Sequence, residues 1–245
     1  MKRIGIARSS SPAHEHVKST MMTFRSLVCS GALALVATFG VVAQSDVHPI
    51  SGRRFAPVMS AEGADWLDRS ERHDEEQPDR ALDLLKIAKG AAVADVGAGS
   101  GYMTVKLSTR VGPTGKVYAN DIQPEMLRLL GRRLTTQHIT NVTLVQGAVD
   151  DPRLPQSAVD LELLVDVYHE FSAPQAMLRH LRDALKPDGR LVLLEYRKED
   201  PLIPIRPEHK MSVAEAKLEV EAERFALSRV DDSLPRQHIL VFTKR

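Results

Sequence analysis

The sequence predicts an α/β fold: a mostly parallel sheet of seven strands, flanked by helices, with one antiparallel strand near the C-terminus. Three observations predict it. From residue 78 onward, short apolar runs alternate with helical patterns, the signature of strand–helix–strand units. The run at 159–167 is almost continuously apolar, as expected for a central parallel strand covered on both faces. The last two runs, 225–230 and 237–243, have too little chain between them for a crossover helix and must pair antiparallel.

The elements follow in order. Residues 44–60 carry Pro49, Gly52 and Pro57 without periodicity and read as an extended leader. Residues 63–69 suit a short helix carrying Trp66, a packing residue by its size, with a lid over a ligand as the alternative. A charged run, 71–77, precedes Pro78, which opens a helix through Lys89, and Gly90 stops it. Strands are expected at 91–96, 116–120, 142–146, 159–167 and 190–196. Helices are expected at 102–110 and 124–137, the latter again opened by a proline. Ser172-Ala173-Pro174-Gln175 and Ser212-Val213-Ala214-Glu215 have the form of capping boxes that open two more helices. Pro187-Asp188-Gly189 reads as a turn. The acidic face at Glu215, Glu219, Glu221 and Glu223 reads as a solvated helix surface.

Composition narrows the function. Net charge is +1, so no positive field exists to bind nucleic acid without specificity. The single cysteine, Cys29, excludes an intrachain disulfide and any multi-cysteine zinc site. Residues 1–43 read as a secretory signal peptide: a basic stretch at Arg25, an apolar run from Leu27 to Val42, and Ala43 at the end. The start of translation on this reading is Met21 or Met22. The implied location is exported or periplasmic. The alternative is a membrane tether with the protein facing the cytoplasm, although the run is short for a span of about 20 residues. Contact with a membrane is expected only if this segment is retained. Residues 44–77 then form an N-terminal extension, and 78–245 the main domain.

The first predicted strand runs into Asp95-Val96-Gly97-Ala98-Gly99-Ser100-Gly101-Tyr102. Alternate glycines let the backbone turn tightly and let a ligand approach closely. The carboxyl end of the first strand of an open α/β sheet lies where ligands bind. Tyr102 stands where a dinucleotide fingerprint needs its third glycine, which argues against an NAD-dependent oxidoreductase.

Residues 93–102 resemble motif I of the class I S-adenosylmethionine-dependent methyltransferases. Three further stretches are similar to that family in order. Val117-Tyr118-Ala119-Asn120-Asp121 ends the second strand in an acid. Ile122-Gln123-Pro124-Glu125-Met126-Leu127 follows it. Leu185-Lys186-Pro187-Asp188-Gly189-Arg190-Leu191 turns into the fifth strand. The resemblance covers residues 78–243, and its tone is that of the ubiquinone/menaquinone-biosynthesis-like small-molecule methyltransferases. It implies a Rossmann-like, doubly wound sheet, S-adenosyl-L-methionine as cofactor, and methyl transfer to a small-molecule acceptor by in-line displacement. It places the cofactor against Asp95, Gly97, Ala98, Gly99, Gly101, Tyr102, Asp121, Ile122 and Asp166, with Asp121 on the ribose hydroxyls. Ala148 stands where the family carries an acid for the adenine amino group, so Asp150, or failing it Asp151, takes that role.

The fourth strand ends Asp166-Val167-Tyr168-His169-Glu170. Ionisable groups clustered after an apolar strand mark a used site. His169 is the natural base near neutral pH, Tyr168 shapes the donor pocket, and Glu170 orients His169. Asp166, His169 and Glu170 are metal-ligand types, but the spacing departs from H-E-x-x-H, so no metal is assigned. Glu195-Tyr196-Arg197, which end the fifth strand on the ligand side, and His209 and Lys210 further on are expected at the substrate opening, with solvated loop residues as the alternative. A binding protein on the same fold, without turnover, is the alternative function.

Overall fold

A computed structural model describes residues 46–245. The predicted signal segment, 1–43, lies outside the described residues. Among the described residues no helix is long and apolar enough to cross a membrane.

Among the described residues seven strands form one sheet in the order β3-β2-β1-β4-β5-β7-β6. They are β1 (Ala92–Val96), β2 (Lys116–Asp121), β3 (Val142–Gln146), β4 (Val159–Val165), β5 (Leu185–Tyr196), β6 (Phe225–Asp231) and β7 (Gln237–Lys244). β1 pairs in parallel with both β2 and β4, so the order of connection reverses between them. β7 runs antiparallel to β5 and to β6 and is the reversed strand.

Among the described residues seven α-helices accompany the sheet: α1 (Ala64–Leu67), α2 (Arg72–Glu76), α3 (Pro78–Leu85), α4 (Tyr102–Val111), α5 (Pro124–Thr136), α6 (Pro174–Ala184) and α7 (Val213–Glu221). Their apolar stripes are set by helical spacing. Leu82 and Leu85 of α3 and Met103, Leu107 and Val111 of α4 pack on Val93, Leu161, Leu163 and Val192 on one face of the sheet. Leu130 and Leu134 of α5 pack on Ala119. Met177, Leu178 and Leu181 of α6 and Ala216 and Val220 of α7 cover the other face, against Leu164, Leu191, Leu193 and Leu240. Successive residues of a strand point to opposite faces, which is why both faces of these apolar strands find cover.

Several boundaries differ from the sequence reading. α3 stops at Leu85 because Lys86 turns left-handed, at φ 50°. α6 begins at Pro174 behind Ala173 and has no side-chain cap, so the box expected at Ser172 does not form. The box at Ser212 and Glu215 does form. The turn expected at 187–189 is absorbed into β5: Val159 pairs with Leu185 and Leu161 with Arg190, so the residues between bulge out of the ladder.

Two segments read as unpatterned carry tertiary structure. Residues 46–56 strap the molecule: Arg53 pairs with Glu219 of α7 (3.1 Å), and Arg53 Nη1 and the Ala56 N–H both donate to the His169 carbonyl. Glu219 is fully buried, so that part of the acidic face of α7 is not solvated. The charged run 71–77 contains α2, whose Arg72 and Glu76 are buried and paired at 2.5 Å.

Candidate active site

The glycine loop follows β1 at the carboxyl edge of the sheet. Gly97 and Gly99 have φ of 74° and 55°, the left-handed region that favours glycine. A Cβ on Gly97 would stand 2.4 Å from Val167, and one on Gly99 would stand 2.7 Å from Leu67. The loop is tied to β2: the N–H groups of Gly97 and Ala98 donate to the Asn120 carbonyl. Asp121, at the end of β2, accepts from the Gly99 N–H at 2.9 Å and from the Gln123 N–H at 2.8 Å.

Gly97, Gly99, Asp121 and Ile122 line a cavity of about 580 Å³. Met59, Met126 and Val149 add apolar wall, and Val165, Asp166, His169, Glu170, Tyr196 and His209 also line it. Trp66 stands over it, half exposed, with the Arg69 guanidinium 3.9 Å from its ring centroid. The expected packing residue is therefore part of the cavity wall.

Asp166 has φ 52°, a conformation that a non-glycine residue holds only when its surroundings impose it. Its Oδ2 accepts from Gln237 at 2.7 Å, while its buried Oδ1 has no hydrogen-bond partner. Burial, with Glu76 and Glu195 nearby, pushes its carboxyl well above the usual range.

His169 is 1% exposed. Its Nδ1 lies 2.6 Å from Glu195 Oε2, and Glu195 Oε1 accepts from the Tyr168 N–H. A carboxylate accepts, so the proton sits on Nδ1 and the Nε2 lone pair is left facing His209, 3.2 Å away. Burial alone would lower the His169 pKa; attraction and hydrogen bonding from Glu195 outweigh it and raise it. Burial pushes Glu170 up to about 7, against the opposing pull of His169.

The structure thus brings together Gly97, Gly99, Asp121, Ile122, Asp166, His169 and Glu170. It sets the other named residues aside. Asp95 is buried behind the loop, accepting from Thr104 at 2.5 Å, and burial pushes it up to about 6. Ala98, Gly101 and Tyr102 are outside the cavity wall; Gly101 precedes α4, and the Arg72 guanidinium covers the Tyr102 ring. Tyr168 turns into the core beside Phe171 and does not shape the pocket. Asp150 is exposed: the Ala148 N–H to Asp151 carbonyl bond folds residues 147–151 so that Val149 faces the cavity instead. Glu195, not Glu170, orients His169. Lys210 is buried, donating to the Asp200 carbonyl, whereas His209 does reach the cavity. Sequence reasoning missed Arg69, Arg72 and Glu76; an Arg–Glu pair four apart in a charged run was their one signal.

Residues 87–231 match the family model described as a methyltransferase domain. The chain belongs to that family. In class it is an S-adenosylmethionine-dependent, class I methyltransferase, and S-adenosyl-L-methionine is the cofactor that membership assigns to it. The ubiquinone/menaquinone biosynthesis C-methyltransferase UbiE of Pseudomonas savastanoi pv. phaseolicola is 35% identical over 123 residues, covering 48% of this chain and 46% of that protein. The UbiE protein of Pasteurella multocida is 33% identical over 124 residues, 49% of this chain and 46% of its own. The match therefore spans less than half the length of these relatives. Among solved structures, a SAM-dependent methyltransferase from Aquifex aeolicus is similar with a TM-score of 0.71 and 28% identity, over 76% of this chain and 98% of that one. A type 11 methyltransferase from Sulfolobus solfataricus shares the fold at 20% identity and a TM-score of 0.59, over 70% and 94%.

The cavity fits the family's cofactor on its own chemistry. Gly97 and Gly99 put bare backbone on the cavity wall, an acid ends β2, and a buried Asp166 oxygen lacks a partner.

Proposed function

We propose that this protein transfers a methyl group from S-adenosyl-L-methionine to a small-molecule acceptor. The observation that carries the reading is one cavity lined by the glycine loop, by Asp121 and by His169. When bound, the cofactor supplies an electrophilic methyl on a sulfonium. The protein's part is alignment and the exclusion of water. Asp121 has lone pairs left for a ribose diol after its two backbone bonds. The free Asp166 oxygen suits an ammonium donor. His169 meets the acceptor's nucleophilic atom, with its Nε2 fixed by Glu195. The cavity wall is mixed apolar and ionisable, and its Arg69 and Arg72 are paired with Glu76, which suits a small molecule rather than nucleic acid. The protein works after export, directed by residues 1–43.

A thermal-shift screen with S-adenosyl-L-methionine, S-adenosylhomocysteine and NAD tests the reading, because a ligand bound to the native state raises its melting temperature. The first two raise it and NAD does not. A shift with NAD alone would overturn the proposal.

A further inference from the structure

Two loops at the carboxyl edge of the sheet meet beside the cavity. One is the short 3-10 helix Tyr168–Glu170 after β4; the other is the 3-10 helix Pro207–His209 between β5 and α7. They bring His169, Glu170 and His209 together so that one ligand atom from each lies within 4.8 Å of the others. Among the described residues this is the set of three with that property. All three line the cavity.

The spacing of the imidazoles is informative. His169 Nε2 and His209 Nδ1 are hydrogen-bonded to each other at 3.2 Å, with the rings at 86°, so an ion bound here takes the place of the proton between them. Two nitrogens bound tetrahedrally to one zinc ion at about 2.05 Å stand about 3.3 Å apart, and at a right angle about 2.9 Å. The observed separation lies between the two. Glu195 behind His169 completes the arrangement, because it places the proton on Nδ1 and turns the Nε2 lone pair outward. A carboxylate behind a ligating histidine is how metal sites fix the tautomer and orientation of the ring. Two imidazoles and one carboxylate, with the cavity on the open side, form a three-ligand set that leaves coordination positions for a small molecule.

We propose that His169, Glu170 and His209 bind one divalent transition-metal ion, and that the ion's open position faces the cavity to take an oxygen of the acceptor. The binding site stands on this geometry alone. Its use in methyl transfer rests on the function proposed above, and it narrows the acceptor to a molecule with a hydroxyl, enol or carboxylate oxygen. With the ion in place, His169 Nε2 is a ligand, and the acceptor meets the metal beside it.

The test uses the full chain, stripped with chelator and desalted. Zinc(II) is titrated calorimetrically, and cobalt(II) binding is followed by visible absorption. One zinc ion per chain at micromolar or tighter affinity, and a cobalt spectrum of four- or five-coordination, are expected. Glu170→Gln and His209→Gln should each weaken zinc by about tenfold or more, and Glu195→Gln by about 10–100-fold. Circular dichroism of each variant checks the fold, and the wild-type cobalt spectrum decides independently of any variant. Absence of stoichiometric zinc binding, or affinity unchanged in both ligand variants, would overturn the inference. S-adenosylhomocysteine titrated into the same sample separates the two readings. Zinc bound without it supports the metal site and removes methyl transfer; the nucleoside bound without zinc does the reverse.

Discussion

Glu195 grips two successive residues of one turn: Oε2 lies 2.6 Å from His169 Nδ1, and Oε1 accepts the Tyr168 N–H at 3.0 Å. Glu195 is the penultimate residue of β5 and fully buried, so the grip is anchored in the sheet. It fixes His169 both in position and in tautomer. His169→Ala should lower turnover by about 10²–10⁴, the worth of a positioned catalytic group. Glu195→Gln should lower it by about 10–100-fold, part of that range. In both variants S-adenosylhomocysteine affinity should be unchanged, because the nucleoside end of the cavity is built from the glycine loop and β2. Steady-state kinetics with calorimetry checks this, and a folded His169→Ala with full turnover would remove the residue from the reaction.

Asp95 gives a pH signature. Its native pKa is raised to about 6 by burial, with Asp121 adding to the effect and Thr104 and Arg72 opposing it. An unfolded aspartate titrates near 3.9. Between about pH 4 and 6 the native state keeps a proton that the unfolded chain has lost, so stability falls as pH rises through this window. Asp95→Asn cannot titrate and keeps an oxygen for Thr104. Relative to the variant, the wild type should lose up to about 3 kcal/mol from pH 4 to above pH 6. Urea unfolding of both proteins across that range measures the difference; parallel curves would contradict the buried, raised carboxyl.

The N-terminal strap is held by a buried pair. Arg53 gives Nε and Nη2 to the two carboxylate oxygens of Glu219, and Ser51 and His48 approach the same group. Arg53→Ala leaves the Glu219 charge buried without its main partner, which costs about 3–5 kcal/mol. The same change removes a donor to the His169 carbonyl, so it should also loosen the catalytic turn. Denaturant midpoints and hydrogen exchange at residues 168–170 check the two effects.

Residues 1–43 should be absent from the protein recovered from its native host. Sequencing of that protein should begin near Gln44, after the apolar run that ends at Ala43. Protein beginning at Met1, Met21 or Met22 in a membrane fraction would favour the tether.

The parts of the fold legible in the sequence are those set by short-range rules. Short apolar runs alternating with helical patterns located the seven strands and the main helices, and the short link before β7 disclosed the reversed strand. The glycine loop and Asp121 were legible because a left-handed turn and a strand-end acid leave local marks. Glu219 was not legible: its partners, Arg53 and His48, are more than 160 positions away and lie in a segment with no pattern. The pairing of Glu195 with His169, and of His169 with His209, was obscure for the same reason, since it joins β5 to two separate loops. Trp66 departs from the burial its size suggests: it is half exposed, with the Arg69 guanidinium over its ring, and it lines the cavity.

The most direct test of the central claim is a calorimetric titration of S-adenosylhomocysteine into the wild type and Asp121→Ala. The wild type should bind one molecule at micromolar affinity or tighter. Asp121→Ala should bind more weakly by about 1–3 kcal/mol, the scale of a lost hydrogen bond to a charged group. No binding to the wild type, or equal affinity in the two proteins, would contradict the account.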